Sequence, residues 1–133
     1  MNTLDRLKRS VANRGDAVFL RSEFGQFGSS AQVGRALHRL MLDGVLVRLG
    51  LGVYAKAKPS VLTGKPMPVR PLEVLAPEAL NKLGVAVMPS RLVQEYNAGR
   101  STQLPAGIVF NVGRRRVARK LSFNGKAIQY EYA

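Results

Sequence analysis

Apolar positions follow a helical period in some stretches of the chain and a strand period in others. Leu4, Leu7 and Val11 fall on one stripe, opposite Arg6, Lys8 and Arg9; Thr3 can cap this helix and Gly15 can close it. Ala17 to Leu20 is too short for a helix and suits one small strand. Ser22 offers a cap for a brief helix through Glu23, Phe24 and Phe27, broken by Gly28. Ser29 and Ser30 open the next helix, with Gln32 three residues after Ser29 in capping-box spacing; it runs to Asp43 and stops at Gly44. Val45 to Leu49 and Val53 to Lys56 alternate around Gly50-Leu51-Gly52, the pattern of a hairpin.

Helix, short strand, short helix, turn, long helix and hairpin is the element order of a winged helix-turn-helix domain. The second half predicts a helix over Leu72 to Leu83, interrupted by Pro77, a strand over Val85 to Met88, and a helix over Arg91 to Asn97. Strands are predicted over Ile108 to Val112, Arg116 to Phe123 and Ala127 to Tyr132. Asn124-Gly125 between the last two is a strong hairpin signal. Prolines 59, 66, 68 and 71 mark a boundary, because each removes an amide donor and disfavours helix before it. The expected fold class is α+β: a winged helix-turn-helix domain at 1–58, a Pro-rich linker at 59–71, and a small basic α+β domain with an antiparallel sheet at 72–133.

Composition narrows the function. The chain has 133 residues, room for one compact domain or two small ones, and 46% of them are hydrophobic, enough for a packed core. Twenty-one Lys and Arg against eight Asp and Glu give a net charge of +13. That imbalance calls for a polyanionic partner, with nucleic acid the default. Cysteine is absent and histidine occurs once, which excludes disulfides, thiolate sites and His-based metal clusters. No apolar run approaches the roughly 20 residues of a spanning helix, and no signal-peptide order is present. A cytoplasmic, nucleoid-associated protein is expected, with no membrane partner.

The long helix carries the candidate chemistry. At about 100° per residue, Val33, Leu37, Leu40 and Met41 share one side, and Gln32, Arg35 and Arg39 the other, flanked by Ala31, His38 and Leu42. Arg can grip guanine O6 and N7, and Gln adenine N6 and N7, so Gln32, Arg35 and Arg39 are the expected base readers. Ser29 and Ser30 at the helix start would meet phosphate, as would Arg48 and Lys56 on the hairpin. His38 reads as a semi-exposed residue more readily than as a base contact, and Tyr54 as a core or wing-base aromatic. The outer face is read as free of acids, unlike a surface built for solubility, which mixes both signs.

Three stretches then carry a resemblance: Val18-Phe19-Leu20-Arg21-Ser22-Glu23-Phe24, Ser29 through Leu40, and Asp43 through Ala55. Together they resemble the winged-helix region of AbiEi-type (type IV toxin-antitoxin) antitoxins. The most specific part is the Leu-x-Arg-Leu-Gly-x-Gly-Val-Tyr-Ala stretch that ends at Ala55. Leu80 to Gly84 and Tyr96 to Pro105 resemble smaller members of that group. The resemblance implies a transcriptional repressor of its own operon, whose double-stranded operator can carry inverted repeats. It also implies a nucleotidyltransferase-like toxin as functional counterpart, without a stable complex. This chain is shorter beyond the linker than the typical family antitoxin.

Arg114, Arg115, Arg116, Arg119 and Lys120 put five positive charges into seven residues. They are expected to contact phosphates, although a strand there would send alternate side chains to opposite faces and keep all five from one surface. Gly99 to Gln103 is a polar loop that could join them. No catalytic constellation is found: His38 has no nearby nucleophile, the acids are isolated, and both Gly-Lys pairs lack the glycine a phosphate loop requires. A non-enzymatic protein without cofactor or metal is expected. The rival reading is an RNA- or ribosome-associated basic module; nine aromatics and no aromatic-rich strand motif argue against single-strand stacking.

Overall fold

The computed structural model describes residues 1–100 and 107–132. They form a mixed α+β structure with two small sheets, divided into two compact units, Met1–Pro71 and Leu72–Ala133.

Unit 1 begins with α1 (Thr3–Asn13). Its cap is Asn2 rather than Thr3: Asn2 Oδ1 accepts from the Asp5 amide at 2.8 Å. The Thr3 hydroxyl instead donates to the Phe27 carbonyl at 3.0 Å, tying the helix start to a residue 24 positions further on. β1 (Val18–Leu20) leads into a 3₁₀ helix, Arg21–Phe27, entered from Leu20 rather than Ser22 because Glu23 Oε2 accepts from the Leu20 amide at 2.6 Å. α2 (Ser30–Leu42) has both halves of its capping box, and Gly44 at φ 76° reverses the chain after it. β2 (Leu46–Gly50) and β3 (Val53–Pro59) pair antiparallel, with an irregularity between Arg48 and Gly50. β1 pairs with the other edge of β3, Val18 opposite Ala55.

The segment 59–71, expected as a linker, contributes a strand to this sheet. Ser60 Oγ accepts from Leu62 and Thr63 in a turn, and β4 (Pro66–Pro68) returns along β3, with Lys58 opposite Met67. Prolines fit there because an edge strand leaves its amide positions unused.

Leu7, Val11, Phe19, Phe24, Val33, Ala36, Leu37, Leu40, Leu46 and Tyr54 form one buried cluster. Burying each of its larger side chains stabilises the unit by roughly 1.5–3 kcal/mol. That outweighs any exposed ion pair, so the inner stripe of α2 fixes which way its outer stripe faces. Tyr54 is a core residue.

Unit 2 contains α3 (Leu72–Lys82), β5 (Met88–Pro89), α4 (Arg91–Asn97), β6 (Ile108–Asn111), β7 (Ser122–Phe123) and β8 (Lys126–Glu131). Pro77 does not split α3, since the carbonyl it leaves without a donor belongs to exposed Glu73. The sheet order is β5-β6-β8-β7, and it is not purely antiparallel: β6 and β8 run parallel, with Ile108 opposite Ile128. The Asn124-Gly125 turn forms with both residues at positive φ, 52° and 83°, but it returns to β8, whose other edge takes β6.

The strand expected over Arg116–Phe123 shrinks to Ser122–Phe123. The Ile128 amide still donates to the Leu121 carbonyl at 3.0 Å. At the next hydrogen-bonding step, the Tyr130 hydroxyl donates to the Arg119 carbonyl at 2.6 Å. A side chain takes the place of the main-chain bond there, and the ladder ends. The strand expected over Val85–Met88 likewise begins only at Met88. Part of the expected polar loop, Ser101 to Gln103, lies outside the described residues, as do residues 104 and 105.

Candidate nucleic-acid interface

α2 divides its residues as its period requires. Val33, Ala36, Leu37 and Leu40 are buried, whereas Ala31, Gln32, Arg35, His38, Arg39 and Leu42 are exposed. A shallow groove runs along the outer side. Arg21 and Ser30 line one end, Gly34, Arg35 and His38 the middle, and Arg39 and Leu42 the other end.

The three expected base readers are differently placed within this face. No described residue pairs with the exposed Arg35 guanidinium. Arg39 is exposed too, but Nε lies 3.3 Å from the Asp43 carboxylate. The outer face is therefore not acid-free: Asp43 stands one turn beyond Arg39. Side-chain exposures of 61% and 39% make this a solvated i,i+4 pair, worth about 0.3–0.5 kcal/mol. A bidentate Arg–guanine contact, worth roughly 1–3 kcal/mol, would displace it. Gln32 is exposed, yet its Oε1 accepts from the Ser29 amide at 2.8 Å to close the capping box. In this geometry one lone pair of Gln32 Oε1 is engaged at the helix end.

Ser29 caps α2 through Oγ, which accepts from the Gln32 amide at 3.2 Å. Ser30 is engaged by a residue not singled out in the sequence, Arg21, whose Nη2 donates to the Ser30 carbonyl at 2.7 Å and to Ser30 Oγ at 3.2 Å. Gly34 makes room for that guanidinium, because a Cβ at position 34 would lie 3.0 Å from Arg21 Nη2. Glycine inside a helix costs about 0.8–1.0 kcal/mol relative to alanine. An interior glycine on the exposed side of an otherwise regular amphipathic helix was the signal that something approaches the backbone there.

The hairpin keeps one of its two expected contacts at the surface. Arg48 is exposed, with Nε donating to the Gly50 carbonyl at 3.2 Å across the turn. Lys56 is half-buried: its ammonium donates to the Arg14 carbonyl and lies 5.9 Å from the centre of the Phe19 ring. Arg14 bonds both Asp16 and Glu23 and sits 5.0 Å over the same ring. The Glu23 hydrogen bond leads the causes that raise the Arg14 pKa above its ordinary value. Lys56 thus belongs to a cationic cover on Phe19.

In unit 2, Arg114, Arg115, Arg116, Arg119 and Lys120 are all exposed. The segment is anchored rather than paired as a strand. Arg115 Nη1 donates to the Gly84 carbonyl at 2.6 Å, and Tyr130 holds Arg119 by its carbonyl. Without strand geometry, the alternation that would divide these cations between two faces does not apply. Among the described residues no group of three His, Cys, Asp or Glu could hold a metal ion, and no helix is long and apolar enough to cross a membrane.

A family model described as "Family of unknown function (DUF6088)" matches residues 4–132. No curated protein matches the chain.

Proposed function

The chain belongs to the DUF6088 family, and we propose that it is a sequence-specific double-stranded DNA-binding protein acting as a transcriptional repressor. α2 is its recognition helix, and the β2–β3 hairpin is the wing of a winged helix-turn-helix domain. The observation that carries this reading is the exposed face of α2, where Arg35, His38 and Arg39 line one open groove while the opposite stripe is locked in the core. Arg35 and Arg39 read base edges. Ser29, Ser30 and Arg48 face phosphates, and the cations at 114–120 add a sequence-blind contribution from unit 2. The resemblance to AbiEi-type antitoxins extends the proposal to repression of the chain's own operon and to a nucleotidyltransferase-like toxin as counterpart.

Selection from random duplexes, followed by anisotropy titrations, tests the reading. A preferred sequence should emerge, and Arg35→Ala should lose roughly 1–3 kcal/mol of preference for it over unrelated duplex. Unchanged discrimination by that variant would remove α2 from the recognition role. A preference for structured RNA over duplex at physiological salt would replace the DNA reading altogether. In cells, the chain should silence a reporter placed behind its own upstream region.

A further inference from the structure

The groove on α2 is completed by a residue that α2 does not supply. Arg21 comes from the start of the 3₁₀ helix and lies against the first turns of α2, with Nη2 bonded to the Ser30 carbonyl and hydroxyl. Nη2 also stands 3.0 Å from the position a Cβ on Gly34 would take. No described residue accepts from Arg21 Nε or Nη1. One nitrogen of the guanidinium is thus committed to holding it in place, and the other two still have donors to offer. Arg21 lines the same groove as Arg35 and His38.

We propose that Arg21 is a DNA-phosphate contact of the recognition surface, held ready by Ser30 and admitted by Gly34; this inference rests on the DNA-binding reading of α2. Phosphate rather than base is the target because of how low the guanidinium sits. Arg35 extends outward from the helix and can enter a groove of the duplex. The Arg21 guanidinium is held against the backbone of α2 by its bond to the Ser30 carbonyl and its approach to Gly34, so it meets what comes down to the helix surface. On a duplex that is the sugar-phosphate rim, and a guanidinium fork matches two phosphate oxygens. The anchoring bonds matter to affinity because a cation already fixed loses less side-chain freedom on binding.

Gly34 supplies the test. A methyl group there would stand 3.0 Å from Nη2, so the guanidinium would have to shift by a few tenths of an ångström against its bonds to Ser30, while the intrinsic helix propensity of α2 improves. Gly34→Ala should therefore raise or preserve thermal stability yet weaken DNA binding, which a purely structural Arg21–Gly34 contact would not do. Arg21→Ala should lower affinity roughly tenfold on preferred and unrelated duplexes alike. It should also reduce the slope of log affinity against log salt by about 0.9, the loss of one phosphate contact. Arg21→Lys should keep most of the slope with intermediate affinity. Adding Gly34→Ala to Arg21→Ala should cost nothing further, because the group it crowds is gone.

The measurements are anisotropy titrations of the full chain on both duplexes across a salt series, with thermal melts of every variant. Wild-type affinity and slope in Arg21→Ala would overturn this inference and leave the α2 reading standing. A changed sequence preference with an unchanged slope would overturn it too, making Arg21 a base reader. If the wild-type chain bound neither duplex, the recognition reading would fall and this inference with it.

Discussion

At the scale of single residues, the outer face of α2 contains two kinds of polar group that a helical wheel cannot distinguish. Arg35 projects from the face without a described partner, whereas Gln32 turns back to close the capping box with Ser29. The box makes Gln32→Glu an informative change. Glutamate is equally suited to the third helical position and is favoured near the positive end of the helix dipole. The variant should melt within about 0.5 kcal/mol of wild type, since a glutamate at this position closes the same capping box. If α2 meets DNA as proposed, the new carboxylate would stand beside the phosphates, and affinity for duplex DNA should fall severalfold and fall most at low salt, where charges are least screened. Equal binding by Gln32→Glu and wild type across a salt series would show that this end of α2 does not approach DNA. Ser29→Ala provides the contrast: losing the cap should cost about 1 kcal/mol of stability.

At the scale of elements, unit 1 was largely legible because its signals are local. The stripes of α1 and α2, the glycine after Asp43 and the alternation around Gly50-Leu51-Gly52 each act within a few residues, and each element formed close to where the pattern puts it. What sequence reading missed depends on contacts across the chain. Pro66–Pro68 becomes a strand because β3 has an open edge to offer it. Arg21 reaches its place because it meets Ser30 and Gly34, which lie nine and thirteen residues further on. In unit 2, the parallel pairing of β6 with β8 is invisible to local periodicity, and the strand expected at Arg116 ends early where the Tyr130 hydroxyl takes the Arg119 carbonyl. That last contact makes a pH prediction. Burial is the main cause that raises the Tyr130 pKa above its ordinary 10.0, with Tyr132 adding to it and Arg119 opposing. A raised pKa in the folded state means that the protonated phenol's contribution is complete below the ordinary tyrosine value. It is lost as pH rises through the raised one. Unit 2 should therefore lose stability in the alkaline range, above the point where tyrosine in the unfolded chain begins to ionise. Tyr130→Phe should remove that part of the alkaline dependence and cost about 0.5–1.5 kcal/mol at neutral pH, the net worth of one hydrogen bond whose acceptor water can reach. Alkaline melts of the two proteins that superimpose would refute the role assigned to this hydroxyl.

At the scale of the whole molecule, the charge is shared between the units rather than gathered in a tail. Unit 1 carries twelve Lys and Arg against four acids, and unit 2 nine against four. Within unit 1, Arg14 and Lys56 are held over Phe19, and Arg39 has Asp43 beside it. In unit 2, Arg114, Arg116 and Lys120 are exposed with no acid in their own stretch, Gly113 to Leu121. Arg115 and Arg119 are less suitable for substitution, since the side chain of one bonds the Gly84 carbonyl and the charge of the other acts on Tyr130. The informative variant is thus the triple change of Arg114, Arg116 and Lys120 to Ala. If these three meet phosphates, the salt slope should fall by about 2.7, at 0.9 per contact neutralised. Affinity for preferred and unrelated duplexes should fall by the same factor, leaving intact the preference proposed for α2. Arg35→Ala should do the reverse, reducing the preference with much less effect on binding to unrelated sequence. A triple variant with a wild-type salt slope would confine DNA contact to unit 1, and one that lost sequence preference would mean that unit 2 reads bases as well. Two variants with opposite signatures, one per unit, are what a reader of sequence joined to a holder of backbone must give.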